Sequence, residues 1–338
     1  EDAVVMGGTV IKKGASVKHC IVAENVVIGE NAVVGEMPKD GAGSVATIGS
    51  GVYIGDGAKV GPAAMIDQNV KDGANALGII FPNSYDGLIP ELVTERLMAS
   101  IPFAGRYRMV DFILSSMVNC GIDNVSLIVR KNYHSLMDHL GSGREWDLTR
   151  KYGGLNIVPP FASNTVKVYN GRIEALASIL DMLKDAREKY VVMSDANLAV
   201  NFDFTAMLEQ HIESGADVTI AYKKQEIPVG MKKPFDITKD LYYTFELDAD
   251  GRIRQLRINP EDEGVQNLSM NIYIIEREFL VHMISEAYSK GMVYFDRDLL
   301  APNLERLNVR GFEFNGYLAR ISDIKSYFDE NMKLLKDE

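Results

Sequence analysis

The stretch Gly78–Ile89 reads GIIFPNSYDGLI. It continues a short apolar run, ALGII at 76–80, and stops just before a helix-like segment. An apolar run of this length, followed by turn-forming residues, reads as a buried parallel strand. The turn after such a strand is where a nucleotide-binding sheet carries its glycine-rich phosphate loop. This turn holds a single glycine, Gly87, near its end, and neither lysine nor arginine. The strand therefore predicts a ligand-binding sheet, and the turn after it lacks the glycines and cations that would cradle a phosphate.

Towards the C-terminus the same texture continues. VSLIV (125–129), YVVMS (190–194), VTIAYKK (218–224) and MNIYII (270–275) read as further strands. MVDFILSSMVNCGI (109–122) has helical apolar spacing and a stop at Gly121. GRIEALASILDMLKDAREKY (171–190) reads as one long amphipathic helix, and YYTFELDADGRIRQLRI (242–258) as a hairpin turning at Asp250–Gly251. Alternating strands and helices predict a doubly wound, mostly parallel α/β sheet over residues 74–338, with helices on both faces. Such a sheet binds ligands at the carboxyl ends of its strands, where the strand order reverses.

Towards the N-terminus the texture changes. Residues 1–73 contain no phenylalanine or tryptophan and are rich in Gly, Val, Ile and Ala. Branched aliphatics recur every six residues: Val5, Ile11, Val17; Val22, Ile28, Val34; Ile48, Ile54, Val60, Ile66. A period of six predicts a left-handed parallel β-helix of hexapeptide repeats, in which these residues stack inside and glycines serve the corners. EMPKDGAGSVA (36–46) breaks the phase and reads as a loop leaving the coil. A two-sheet sandwich would alternate with period two instead.

Composition sets the outer limits. With 338 residues the chain can build two cores. A net charge of −11 argues against nucleic-acid and anionic-membrane surfaces. Two cysteines, Cys20 and Cys120, are too few for a disulfide framework and fit a reducing cytoplasm. No apolar run approaches the ~20 residues of a membrane span. The chain does not begin with methionine, so Glu1 is not expected to be the natural start.

Longer motifs narrow the function. IPFAGRYRMVDF (101–112), RKNYHSLMDHLGSGREWDL (130–148), VYNGRIEALA (168–177) and GYLARISDIKSYFDEN (316–331) stand in order along the chain. Together they resemble the signature, central landmarks and closing segment of the ADP-glucose pyrophosphorylase (glucose-1-phosphate adenylyltransferase) family, to which the β-helix also belongs. The resemblance implies that ATP and glucose 1-phosphate give ADP-glucose and pyrophosphate, with Mg²⁺. Chemistry of that kind needs cations, backbone amides and carboxylate-held Mg²⁺ around a triphosphate.

Carried over position by position, the resemblance implies that these parts are missing. Leu88 falls where the triphosphate arginine belongs, Met98 at the following lysine, and Asn259 at the sugar-phosphate lysine. The glycines that would approach phosphate become Phe81, Pro82 and Asn83. Asn197 stands at the first metal aspartate, although a slip of two residues would put Asp195 there, and Arg320 stands at the second. A cation ~4 Å from Mg²⁺ at an effective dielectric of ~20 costs on the order of 8 kcal/mol. The chain is therefore similar to the GlgD-type regulatory branch, for which no cofactor of its own is expected. Its implied partner is a catalytic subunit, joined in a heterotetramer in the cytoplasm of a glycogen-storing bacterium. A residual pocket for a nucleotide or sugar-phosphate effector would draw on Asp86, Gly87, Arg106, Arg108, Gly171, Asp195, Asp296 and Asp298, with Asp195 the one candidate metal ligand. Two alternatives stay open: an active nucleotidyltransferase with substitute residues, and an interaction protein with an empty pocket.

Several residues have structural readings beside the functional ones. Arg106 and Arg108 read as surface residues, Asp111 as a helix cap, and Asp296 and Asp298 as fold residues that outlast their partners. His134 and His139 are spaced five apart, unsuited to a shared metal on a helix, and His19 alone does not make an acyltransferase site. Trp146 reads equally as a ligand platform or a buried anchor. The domain order is inverted relative to the family. Either the chain is circularly permuted, or its C-terminal piece is written first and no true bond joins Gly73 to Ala74. The second account is favoured, and it predicts a Cα–Cα distance there far from ~3.8 Å.

Overall fold

The computed structural model describes residues 2–36, 45–67, 75–149, 153–160, 169–232 and 242–335. Gly73 and Ala74, on which the expectation about domain order falls, lie outside the described residues. The chain divides into two compact units, Glu1–Asn75 and Ala76–Glu338.

The first unit is made of very short strands: Val4–Val5 (β1), Val10–Ile11 (β2), Ser16–Val17 (β3), Cys20–Val22 (β4), Val27–Ile28 (β5), Val33–Val34 (β6), Ala46–Ile48 (β7), Tyr53–Ile54 (β8), Lys59–Val60 (β9) and Met65–Ile66 (β10). Consecutive strands fall in different sheets, and each strand pairs in parallel with the third one along. The sheets run β1-β4-β7-β10, β2-β5-β8 and β3-β6-β9. The registers set the period-six residues in columns. Val5, Val22, Ile48 and Ile66 form one, Ile11, Ile28 and Ile54 the second, and Val17, Val34 and Val60 the third. The middle members of each column are buried in one apolar cluster, whereas Val5 and Ile11 in the first two strands are exposed. Gly35 shows why the corners take glycine. Its φ is +73°, and a Cβ there would lie 2.0 Å from the Lys18 carbonyl oxygen.

The second unit is a sheet with helices on both faces. Its strands are Ala76–Phe81 (β11), Asn124–Ile128 (β14), Gly154–Val158 (β15), Tyr190–Asp195 (β16), Val218–Glu226 (β18), Val265–Glu276 (β21) and Val309–Glu313 (β22), in the order β15-β14-β11-β16-β21-β18-β22. The hairpin Tyr243–Leu247 (β19) and Ile253–Ile258 (β20) hangs from β21. Small ladders join Pro102–Phe103 (β12) to Tyr107–Arg108 (β13) and Leu198–Val200 (β17) to Leu318–Arg320 (β23). The run β15-β14-β11-β16 is parallel, β21 is antiparallel to both neighbours, and β22 is parallel to β18. The sheet is thus mostly parallel with one reversed strand in its middle.

The helices are Met109–Asn119 (α1), His134–Leu140 (α2), Arg172–Ala177 (α3), Leu180–Asp185 (α4), Phe204–Glu213 (α5), Arg277–Ser289 (α6) and Ile324–Lys333 (α7). Leu77, Ile79 and Phe81 pack with residues of α3, α4 and α6 in the largest apolar cluster. On the other face Gly78 lies against Met117 of α1, and Thr219 bonds His211 of α5 at 2.8 Å. The long helix expected over 171–190 is in fact two short ones. Ser178 turns its hydroxyl back to the Ala175 carbonyl at 2.7 Å, and Ile179 leaves helical geometry at φ −114°. No helix among the described residues is long and apolar enough to cross a membrane.

Candidate functional site

The parallel strands β11, β14 and β16 end on the same edge of the sheet, and the chain visits β14 and β15 on one side of β11 before returning to β16 on the other. This reversal is where such a sheet opens a crevice. A cavity of about 110 Å³ lies there, reached by Phe81, Arg130, Arg172, Asp195, Asn271 and Asp296 among others.

The turn after β11 is tied down by its own side chains. Asn83 donates from Nδ2 to the Lys131 carbonyl (3.1 Å) and to Asp86 Oδ2 (2.9 Å), and its Oδ1 accepts from the Arg130 backbone N–H (2.7 Å). Asp86 Oδ1 accepts from the Met98 N–H at 2.7 Å. Burial pushes the Asp86 carboxyl up to about 6, against the pull of those two hydrogen bonds. Leu88 and Met98 are buried with Tyr85, Ile89, Ile101 and Phe103 in an apolar cluster. A group buried among hydrocarbon offers nothing to a phosphate, and the amide and carboxylate that face inward serve the turn itself.

At the end of β16 stands Asp195, 1% exposed. Its Oδ1 accepts from Arg172 Nη2 at 2.8 Å and from the Ser84 hydroxyl at 2.6 Å, and its Oδ2 accepts from Asn271 Nδ2 at 2.9 Å. Asn271 also donates to the Tyr85 hydroxyl. Arg172 reaches a second carboxylate, Asp296, with Nη1 3.6 Å from Oδ2. The Tyr273 hydroxyl donates to Asp296 Oδ1 at 2.7 Å. The guanidinium also lies against two rings, 4.9 Å from the centroid of Phe81 and 5.0 Å from that of Tyr273. Burial opposes the charge on Arg172, but Asp195, Tyr273 and Asp296 more than restore it. Burial raises Asp296 to about 6, with Arg172 and the Tyr273 hydroxyl pulling the other way.

Residues 92–337 match the model of the nucleotidyl transferase family. The chain belongs to that family. Among curated relatives, the glycogen biosynthesis protein GlgD of Geobacillus stearothermophilus is 43% identical over 148 residues, 42% of each chain. GlgD of Bacillus subtilis is 30% identical over 261 residues, 77% of this chain and 63% of its own. The glucose-1-phosphate adenylyltransferase of Thermotoga neapolitana is 31% identical over 251 residues, 72% of this chain and 57% of its own. The chain thus spans between 42% and 63% of the length of these relatives. A Bacillus anthracis crystal structure assigned as a glucose-1-phosphate thymidylyltransferase, in complex with a sucrose, superposes with a TM-score of 0.57 at 15% identity, covering 78% of this chain and 96% of that one. That likeness shows the nucleotidyltransferase-like fold.

Nucleotidyl transferases generally use Mg²⁺, so the donor set can be tested against that ion. Asp195 is the one candidate metal ligand the sequence left open, and a guanidinium already sits on it. Asn197 is 1% exposed with its Nδ2 unpartnered among the described residues, and Arg320 is 6% exposed with its Nε likewise unpartnered. Arg320 donates from Nη2 to the Ser269 carbonyl at 2.7 Å, and burial lowers its pKa. Among the described residues no three His, Cys, Asp or Glu side chains are grouped to hold a metal. A guanidinium on the available carboxylate does not fit a hard divalent cation, which is normally held by carboxylates and phosphates.

The crevice gathers only some of the residues the sequence proposed. Gly171, Asp195 and Asp296 line the cavity, whereas Asp86, Gly87, Arg106, Arg108 and Asp298 do not. Arg108 Nη1 binds the Ser100 carbonyl and the Ser135 hydroxyl (3.2 and 2.6 Å), and its backbone N–H meets Asp111 Oδ2 (2.9 Å), so Asp111 caps the turn of α1. Arg106 lies over the Tyr107 ring. Asp298 Oδ2 accepts the Val293 and Tyr294 N–H groups at 3.0 and 2.9 Å, closing a turn. Asn259 has φ +45° and its Oδ1 accepts the Tyr242 N–H at 3.0 Å, which fixes the end of the hairpin. His134 pairs with Asp138 and His139 with Asp111, while Trp146 Nε1 donates to Ser115.

The central cation, Arg172, was missed because GRIEALAS reads as helix. Asn271 and Tyr273 were missed inside MNIYII. A polar amide within a buried strand was the available signal, since such a group needs a partner.

Proposed function

We propose that this nucleotidyl transferase is a regulatory, non-catalytic subunit of bacterial glucose-1-phosphate adenylyltransferase in glycogen biosynthesis. The observation that carries this reading is the ion pair of Arg172 with Asp195, at the strand end where an adenylylating enzyme would gather its metal and triphosphate. The buried Leu88 and Met98 support it, because a triphosphate needs cations at the loop they occupy. Similarity to two GlgD proteins supports the glycogen role.

In this reading the first unit is a left-handed β-helix of hexapeptide repeats, and the columns of Val and Ile support it. The partner is a catalytic subunit, joined in a cytoplasmic heterotetramer. Binding of a nucleotide or sugar-phosphate effector without turnover would act through the crevice.

The test is ADP-glucose synthesis by the purified chain, alone and mixed with a catalytic subunit. The expected result is no turnover alone and a change of about 5- to 150-fold in the partner's substrate affinity, the usual span of an allosteric coupling. Robust activity of the chain alone, abolished by Asp195→Ala, would establish a working transferase with substitute residues. An unchanged partner would reduce the chain to an interaction protein.

A further inference from the structure

The ion pair has a construction that surface pairs lack. Arg172 is the first residue of α3, and Gly171 before it is pressed on the chain at Val293, where a Cβ would lie 2.3 Å from the carbonyl oxygen. Ile173 donates to the same carbonyl at 3.2 Å. The start of α3 is thereby fixed against the segment leading to Asp296. From there the side chain points between Asp195, from β16, and Asp296, from the π-helical turn Phe295–Leu300. The Phe81 and Tyr273 rings lie against the guanidinium, and its two terminal nitrogens meet the two carboxylates. Its side chain is 13% exposed, and those of the two aspartates 1% and 4%.

Two neighbouring buried carboxylates both stay ionised only with a positive charge between them; without it one takes up a proton. A hard divalent ion is one way to supply it, usually on one or two carboxylates. Here the charge comes from the chain. We propose that Arg172 is a resident cation that takes the place of a divalent ion between Asp195 and Asp296, so that the crevice is closed to Mg²⁺ and whatever binds there does so without metal. The guanidinium repels an incoming divalent ion and uses the oxygens that ion would need. Ser84 and Asn271 spend their donors on the same carboxylate. The inference concerns these side chains alone and stands whether or not the chain regulates a partner.

The consequence is a latent metal site. Removing the charge at 172 leaves Asp195 and Asp296 beside the Ser84 hydroxyl, an oxygen set suited to Mg²⁺ or Mn²⁺. The probe is Mn²⁺ alone, titrated into the full-length chain and followed by electron paramagnetic resonance, with melting temperature as a second readout. The wild-type chain is expected to show no Mn²⁺ site sensitive to Asp195→Asn and no melting shift with Mn²⁺. Arg172→Gln is expected to bind Mn²⁺ at least about tenfold more tightly than wild type, to melt higher when Mn²⁺ is added, and to lose both effects when Asp195→Asn is added. Should Arg172→Gln fail to fold, Arg172→Met keeps an apolar stem beside the rings without the charge, and the same tighter Mn²⁺ binding than wild type is expected. Mn²⁺ held by Asp195 in the wild-type chain overturns the proposal. So does a folded variant at 172 with wild-type Mn²⁺ behaviour. Neither readout involves adenylyl transfer, so failure here is distinct from failure of the regulatory reading.

Discussion

The two units of this chain hold their buried residues by opposite means. In the stacked unit every column repeats one solution, with Val or Ile above Val or Ile, and no member is unique. At the crevice of the sheet unit Arg172, Asp195, Asn271 and Asp296 each satisfy one another, and none has a second copy. Repetition spreads stability over near neighbours, whereas a buried polar cluster concentrates it. Damage in the first unit should therefore stay local, and damage in the second should be large at single positions.

The sharpest test is Arg172→Ala, which strands two buried carboxylates. It should cost about 3–5 kcal/mol in urea unfolding of the sheet unit. A loss under about 1 kcal/mol would mean the charges are already neutralised by other means. Next in size is Ile28→Ala in the middle of its column, where the side chain is fully buried. It should cost about 3 kcal/mol. Amide exchange should rise among residues 10–60 and hold steady in the sheet, and equal loss of protection in both units would break the contrast.

The third test uses pH. Burial lowers His211 to about 4 from its ordinary 6.5. The native chain thus takes up this proton later than the unfolded chain as pH falls. The stability it confers is full above pH 6.5 and is lost as pH drops towards 4, by about 3 kcal/mol. Asp86, raised to about 6, works in the opposite direction below pH 6, so the readout is the difference between wild type and His211→Gln. Equal pH profiles for the two chains would show that His211 titrates normally. The smallest effect should come from Lys12→Ala. Its contact with Asp56 at 3.3 Å joins two half-exposed side chains, and the melting temperature should not change measurably. A clear drop would show that single side chains matter in the stacked unit too.

The same contrast explains what could be read beforehand. All ten period-six positions fall in the three columns, because a repeat writes its geometry into sequence spacing. The strands at 76–81, 124–128 and 190–195 follow from continuous apolar runs, and α1 from its spacing and Gly121. Asp195 and Asp296 were reached through the family resemblance. Their common partner was not, since Arg172 meets them only through tertiary folding, and an arginine beside a helix-like run looks like any solvated charge. The break at Ser178–Ile179 was hidden for a similar reason. Local propensity favoured one helix, and packing against the sheet preferred two.

The reversed strand β21 has a consequence for how the chain is made. It occupies a seat in the middle of the sheet, between β16 and β18, yet it comprises residues 265–276. As synthesis proceeds, β11, β14, β15 and β16 can associate while the ribosome is still working, but β18 has no neighbour to join until this segment emerges. A truncation ending before residue 265 should leave an open strand edge at β16 and aggregate, making this the interval in which a nascent chain most needs a chaperone.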